Sequence, residues 1–373
     1  MEEDHRRASR GQGFAALHDA LSVSDAQCLP SMPTTGAFTY SNPRVIHWGA
    51  GSIAQLGAEL QRLEATRIGV VTTRSLVESL DRLRVRPAAT VVIGQHAPTA
   101  QVRAGTEKAK SAGVDCIVSF GGGSAIDAAK IISVQLADGD GRALPHVAIP
   151  TTLSVAELAA GAGFTNDQGD KAGMRDPRLM VEAVIYDAEL TLATPIQLWL
   201  STGIRALDHA VEGFLAPGEH PFNDVMALEG IRRLFDSLPR AKASPSDVGM
   251  RTENQLAAWF SFTLPGASAA GLSHTMGKQI GARHGIPHGV TSCLLLPHVM
   301  RYLAKTMPER MQLLAQATGV DPANRVEELI ASLGLPQHIS QFDVGQTALR
   351  VAAEELANKY PAADLLGIYL AAL

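Results

Sequence analysis

The sequence predicts an α/β domain followed by an all-α domain. Four short apolar runs, RIGVVTT (67–73), ATVVIG (89–94), DCIVSFGGG (115–123) and HVAIPTT (146–152), read as strands. Runs that are apolar throughout belong to strands buried on both faces. Between them lie stretches at helical spacing, such as SIAQLGAELQRL (52–63) and AQVRAGTEKAKSAG (100–113). That alternation predicts a largely parallel sheet with helices on both faces. From about Pro195 the texture changes: VMALEGIRRLFDSL (225–238) and MQLLAQATG (311–319) keep helical spacing, with Pro and Gly between such stretches. The expected organisation is a loose extension over 1–35, an α/β domain over 36–194 and a helical domain over 195–373. Two such domains leave a cleft between them, a frequent ligand site.

Composition narrows the classes. The chain has 373 residues, 46% hydrophobic and 18% charged, with a net charge of -5. That is an ordinary globular composition, and mild acidity gives no footprint for nucleic acid or anionic membrane. Cys28, Cys116 and Cys293 are far apart and form no CxxC pair, so a reducing, cytoplasmic setting is expected. The opening MEEDHRRASRGQG is charged, has no apolar core after it, and does not read as a secretory signal. No run approaches the roughly 18 apolar residues of a membrane helix. There is no internal repeat.

The clearest local signal is DCIVSFGGGSAIDAAKIISV (115–134). A strand runs into Gly121, Gly122, Gly123 and Ser124 and then into a helix. Glycine lets backbone approach a ligand, and a helix start offers unpaired N–H groups and a positive dipole end. Together they suit a pyrophosphate. Asp127, one turn in, could meet a ribose hydroxyl or a nicotinamide end. The spacing is neither GxGxxG nor GxxxxGK[ST], so neither standard nucleotide motif applies.

A second signal is STGIRALDHAVEGF (201–214). It reads as a helix opening on Ser201 and Thr202, with Arg205, His209 and Glu212 on its inner face.

With these segments together, the chain resembles the iron-containing, group III alcohol dehydrogenases. GGGSAIDAAK, IPTT (149–152), RALDHAVE (205–212) and SHTMGKQIGARHGIPHGVTSCLLLPHVMRY (273–302) follow that family's order. The resemblance implies a dehydroquinate-synthase-like fold and a nicotinamide-dependent oxidoreductase. KAGMRDPRLMVEAVIYDAELT (171–191) is similar to a segment of the maleylacetate reductase branch, which reduces the carbon–carbon double bond of maleylacetate to give 3-oxoadipate. The stretch GAFTYSNPRVIHWGAGSIAQLG (36–57) is similar to that branch's opening strands.

By this resemblance Gly122, Gly123 and Ser124 hold the pyrophosphate, Thr151 and Thr152 line the cofactor, and Lys171 lies near ribose and nicotinamide. Thr73 stands where NAD-preferring members often have Asp. An Asp there binds the 2′-hydroxyl and repels a 2′-phosphate; Thr73 does neither strongly, and Arg74 suits a phosphate. Both NADH and NADPH are therefore expected to serve. The family also implies a homodimer.

Metal-binding members use an Asp, a His four residues later, and two further His fourteen apart. His209, His274 and His288 match the histidines, and Arg205 stands at the Asp position. An arginine keeps its charge in a protein. Two cations a few ångströms apart repel by several kcal/mol at an effective dielectric of about 20. No metal is expected. Asp208, about 100° round the helix from His209, is expected in a salt bridge or on the helix surface. Arg205, Lys278, Arg283 and His284 together suit an anionic substrate, with Arg205 as a bidentate carboxylate clamp. The competing reading is that Arg205 only pairs with Glu212 or Asp208. His298 is expected to pack or hydrogen-bond within its helix.

The expected reaction is hydride transfer from NAD(P)H to an unsaturated keto dicarboxylate, followed by protonation. Arg205 and Lys278 would orient carboxylate and stabilise developing negative charge, His209 or His274 would deliver the proton, and His288 would orient substrate. One alternative is a metal-dependent alcohol dehydrogenase or aldehyde reductase. Another is a non-enzymatic binder that kept the fold.

Overall fold

The apolar runs do assemble into one sheet. The computed structural model describes residues 43–373, apart from Asp170, residues 218–219, residues 263–270 and Ala362. The extension expected over 1–35 and the start of the stretch 36–57 lie outside the described residues.

The described residues form eight strands: β1 (Val45–Trp48), β2 (Ile68–Thr73), β3 (Ala89–Ile93), β4 (Cys116–Gly121), β5 (His146–Pro150), β6 (Gly161–Thr165), β7 (Lys171–Arg175) and β8 (Ala183–Tyr186). Six form a sheet in the order β1-β8-β5-β4-β2-β3, parallel at every pairing. Alternate residues of its strands feed two separate cores. Val70, Val118 and Phe120 pack with Leu56 and Leu60 of helix α1 (Leu56–Arg62), and with Leu76 and Leu83 of a 3-10 segment (Arg74–Leu83). On the other face, Val71, Ile117 and Ile93 meet Val102 of α2 (Thr99–Ser111) and Ala128 and Ile132 of α3 (Gly123–Gln135). Burial on both faces is why these strands lack polar alternation.

The strand order also locates the site. The chain steps outward from β2 to β3, then returns to place β4 on the other side of β2. Ligands of open α/β sheets bind outside the carboxyl ends of strands at such a reversal. Thr73 and Gly121 stand at those two ends.

The remaining strands, β6 and β7, form an antiparallel hairpin. GAGFT and KAGMR carry glycines and charges, which hid them in the sequence. The hairpin lies over α3, where the Gly163 N–H donates to Asp127 Oδ2 at 3.1 Å.

From Ile196 onward the described residues are helical, without strands: α4 (Ile196–Phe214), α5 (Pro221–Ala243), α6 (Val248–Phe260), α7 (Leu272–His284), α8 (His288–Thr306), α9 (Pro308–Thr318), α10 (Pro322–Leu333), α11 (Gln346–Leu356) and α12 (Leu365–Ala371). α4 is the central element, its apolar residues packed in one core with those of α5, α6 and α8. It begins at Ile196, directly after Pro195, and not at Ser201 as expected. The Ser201 and Thr202 hydroxyls do not cap. Both donate back to the Leu198 carbonyl, at 3.1 and 2.9 Å, inside a helix already under way. Among the described residues no helix is long and apolar enough to cross a membrane.

Candidate active site

The glycine turn is built for close approach. A Cβ on Gly122 would come within 2.9 Å of Thr152 Cγ2, so no larger residue fits there without movement. Thr151 holds the neighbouring strand end in place, its N–H donating to the Gly121 carbonyl at 3.0 Å. Gly123 opens α3, presenting its free N–H groups. Beside this turn, Thr152 Oγ1 and Ser154 Oγ are buried and have no hydrogen-bond partner among the described residues. Buried hydroxyls seldom stay unpaired. A pyrophosphate would supply the acceptors, so these residues fit the cofactor the sequence implied. Ser124 Oγ accepts from the His96 N–H at 2.9 Å, and Thr73 lies across the reversal with its Oγ1 3.3 Å from Ser75 Oγ.

The loop carrying Ser154 is anchored by a residue the sequence reading passed over. Lys130, the last residue of GGGSAIDAAK, is fully buried on α3. Its Nζ donates to the carbonyls of Ala156 at 2.5 Å, Ala159, and Gly161 at 3.1 Å. Burial pulls its pKa down to about 8. Nearby Glu157 accepts from the Tyr186 hydroxyl at 2.8 Å, and burial pushes its carboxyl up to about 7.

Between cofactor turn and helical half lies a row of cations. Lys171 opens β7 with its Nζ 2.6 Å from His96 Nδ1. Burial, with Lys171 beside it, takes His96 down to about 4, so its neutral ring accepts from the ammonium. Lys171 and Lys278 are each lowered to about 8, mainly by burial. Asp127 is the carboxyl among them. Burial raises its carboxyl, while Lys130, Lys278 and Lys171 oppose that rise. Lys171, Thr275, Lys278, Gln279 and Arg283 line a cleft of about 360 Å³ between β7 and α7.

Deeper in, α4, α7 and α8 meet. His209, His274 and His288 stand in a row, with ring centroids 5.3 and 5.2 Å apart, and Phe262 packs edge-on against His209 at 5.0 Å. Arg205 is 4% exposed. Its Nη2 donates to His274 Nδ1, and its Nη1 donates to Ser292 Oγ at 3.3 Å. Burial lowers its pKa only to about 10, so it is charged at neutral pH. Burial, then Arg205, holds His274 and His288 well below the usual imidazole range. That environment disfavours an imidazolium at His274.

Other expectations are corrected here. Of the two places expected for Asp208, the salt bridge holds and the helix surface does not. Asp208 is buried 3.9 Å from Arg205, and its Oδ2 accepts from Ser292 Oγ at 2.6 Å and Ser273 Oγ at 3.1 Å. The competing reading of Arg205 thus holds in part: the guanidinium has a carboxylate partner, and its fork is largely engaged by protein. Glu212 does not pair with Arg205 in a direct contact. It takes the start of α7, accepting from the Ser273 N–H at 2.5 Å and the His274 N–H at 3.3 Å. Arg283 is exposed and engaged by Glu355 at 2.6 Å, so it adds no free charge to the inner site. His284 ends α7, ten residues along the helix from His274 and away from the inner cluster. His298 lies half-buried within α8, as expected for a packing residue. Ser154, His96, Ser273 and Ser292 belong to the site but carry no sequence signal, because long-range folding alone brings them in.

Comparison with known proteins agrees with this geometry. The family model described as iron-containing alcohol dehydrogenase matches residues 43–188, and that of the Fe-containing alcohol dehydrogenase family, C-terminal, matches 199–362. The chain is 32% identical to the maleylacetate reductase of Rhizobium sp. (strain MTP-10005) over 330 residues, covering 87% of this chain and 92% of that one. It is also 32% identical to the maleylacetate reductase of Pseudomonas sp. (strain P51), covering 86% and 90%. The crystal structure of the Rhizobium enzyme superposes with a TM-score of 0.80 at 30% identity, covering 91% of this chain and 99% of that one. An iron-containing alcohol dehydrogenase from Corynebacterium glutamicum gives a TM-score of 0.83 at 27% identity, covering 91% and 97%. Fold, site and relatives define an oxidoreductase. The chain belongs to the iron-containing alcohol dehydrogenase family.

Proposed function

We propose that this protein is an NAD(P)H-dependent reductase of an unsaturated keto dicarboxylate, similar to maleylacetate reductase, and that it works without a metal. The observation that carries the reading is the pair of buried cations Lys171 and Lys278 that line the cleft between β7 and α7. A site of that charge favours a dianion over a neutral alcohol or aldehyde. The relatives named maleylacetate reductase support the same substrate class.

What supports the metal-free reading is the chemistry of the donor set. A guanidinium can only donate, so the ring nitrogen of His274 that meets Arg205 must offer it the lone pair a metal would need. Among the described residues no group of three His, Cys, Asp or Glu is disposed to hold an ion. Both observations weigh against a divalent cation at this donor set. The rival reading, a metal-dependent alcohol dehydrogenase, keeps one supporting observation, the histidine row itself.

NAD(P)H, when bound, would supply the hydride for the electrophilic alkene carbon. Thr152, Ser154 and the N–H groups at Gly123 would hold its pyrophosphate. Lys278 binds the developing enolate oxygen and delivers a proton, since its pKa near 8 leaves it protonated yet acidic at neutral pH. Arg205 fixes His274 in orientation and adds positive potential, in place of the direct carboxylate clamp expected of it. One carbon gains the hydride, its neighbour gains the proton, and the ketone survives. A homodimer belongs to the same reading; the edge strand β1, with Trp48 54% exposed, supports it. The test is a substrate screen with NADH and NADPH in which maleylacetate stands beside simple aldehydes. Turnover of maleylacetate alone is expected; turnover of aldehydes alone would overturn the reading.

A further inference from the structure

The cleft continues outward beyond the groups used so far. Thr275 and Lys278 are neighbours on one face of α7, three residues apart, and His274 is one turn before Lys278. The row therefore leads from the buried histidines through Lys278 toward solvent. At its outer end Thr275 Oγ1 lies 3.0 Å from Tyr360 Oη and accepts from Lys359 Nζ at 3.4 Å. The Lys359 ammonium also stands 5.2 Å from the Tyr360 ring centroid. Both residues come from the turn after α11.

The neighbouring cation Arg283 is held by Glu355 at 2.6 Å, and Gln279 donates to the same carboxylate at 2.7 Å. Lys359 differs. Its contacts are a hydroxyl and an aromatic ring, and among the described residues no carboxylate pairs with it. One proton of the Thr275–Tyr360 hydroxyl pair is spent between the two, so one hydroxyl proton and the Lys359 ammonium remain as donors beside a cleft that Thr275 and Lys278 line. A carboxylate, with two acceptor oxygens, takes both at once.

We infer that Thr275, Tyr360 and Lys359 form a subsite for the distal carboxylate of an elongated dicarboxylate whose reacting end lies at Lys278. The inference rests on the function proposed above and names what sets substrate length and charge. At a half-open site the subsite contributes selectivity more than affinity.

The test compares maleylacetate with its monomethyl ester at the distal carboxylate, using the full chain and saturating NADH or NADPH. Lys359→Met raises KM for maleylacetate about five- to tenfold, the size of one charged hydrogen bond in a half-open site, with kcat little changed. KM for the ester stays as in the unsubstituted protein, and Lys359→Arg restores the difference. Thr275→Val reproduces the effect more weakly. A change equal for both substrates, or for neither, overturns the subsite. Calorimetry with glutarate and butyrate reads it without turnover. Preferential binding of glutarate, lost in Lys359→Met, supports it, and equal binding of the two overturns it. Absence of maleylacetate turnover by the unsubstituted protein contradicts the proposed function and leaves the glutarate result to decide the subsite.

Discussion

Arg205 and Asp208, three residues apart on α4, form an ion pair of 3.9 Å that is buried on both sides. Both hydroxyls of Ser273 and Ser292 converge on the carboxylate, so the charge brought in by Arg205 is balanced by fixed partners. Removing one partner strands the other. Asp208→Asn is expected to destabilise the fold by about 3 kcal/mol or more, as for other broken buried pairs. Arg205→Met with Asp208→Asn should recover much of that loss. Urea unfolding of the three variants checks it; an Asp208→Asn protein as stable as the parent contradicts the pairing.

Lys278 sets a pH dependence. Its ammonium is destabilised first by burial, then by Arg205, Arg175 and Lys359, with Asp127 opposing. As the acid in reduction it acts only while protonated. The rate should be flat below and fall as pH rises through about 8. Lys278→Met should remove that limb and cost about a hundredfold or more in kcat, whereas Lys171→Met should keep the limb. Linkage gives a second sign. Between about 8 and the ordinary 10.5 the unfolded chain binds more protons than the folded one, so stability rises with pH there. Rate profiles and thermal unfolding across that window read both.

Cofactor choice turns on Thr73, at the end of β2. It offers a 2′-hydroxyl no carboxylate and a 2′-phosphate no repulsion. The ratio of kcat/KM for NADH and NADPH should lie within about a hundredfold, which is about 2.7 kcal/mol. Thr73→Asp should shift it toward NADH by repelling the phosphate. A parent enzyme with a larger preference, or an Asp variant without a shift, removes this account of the position.

Lys130 tests whether the phosphate loop is positioned from beneath. Lys130→Met leaves the carbonyls of Ala156, Ala159 and Gly161 without their donor. KM for NADPH should rise about tenfold or more as Thr152 and Ser154 lose register, a loss of about 1.4 kcal/mol. The kcat at saturating cofactor should fall less. Equal loss in kcat and no change in KM would assign Lys130 to stability alone.

How much of this was legible before folding differs by element. The strands at 68–73, 89–93, 116–121 and 146–150 were readable because burial on both faces leaves uninterrupted apolar runs. The glycine turn was readable because only glycine clears Thr152. The hairpin of β6 and β7 was not, since glycines and charges interrupt its few apolar residues, Ala162, Phe164 and Met174, which pack against the core beside α3. The start of α4 was misread because Ser and Thr resemble caps, while their hydroxyls bond backward inside the helix. Arg205 was visible as a departure from the family pattern. Its partners Ser292, 87 residues on, and His274, 69 residues on, were not, because nothing local couples such positions.

The central claim is reduction of an anionic keto acid without a metal, and metal content measured against activity tests it most directly. The purified protein, dialysed against a strong chelator, should reduce maleylacetate at its full rate with iron and zinc far below one ion per chain. A near-stoichiometric metal, with activity lost to the chelator and restored by Fe²⁺ or Zn²⁺, would contradict it and return His209, His274 and His288 to the role of ligands.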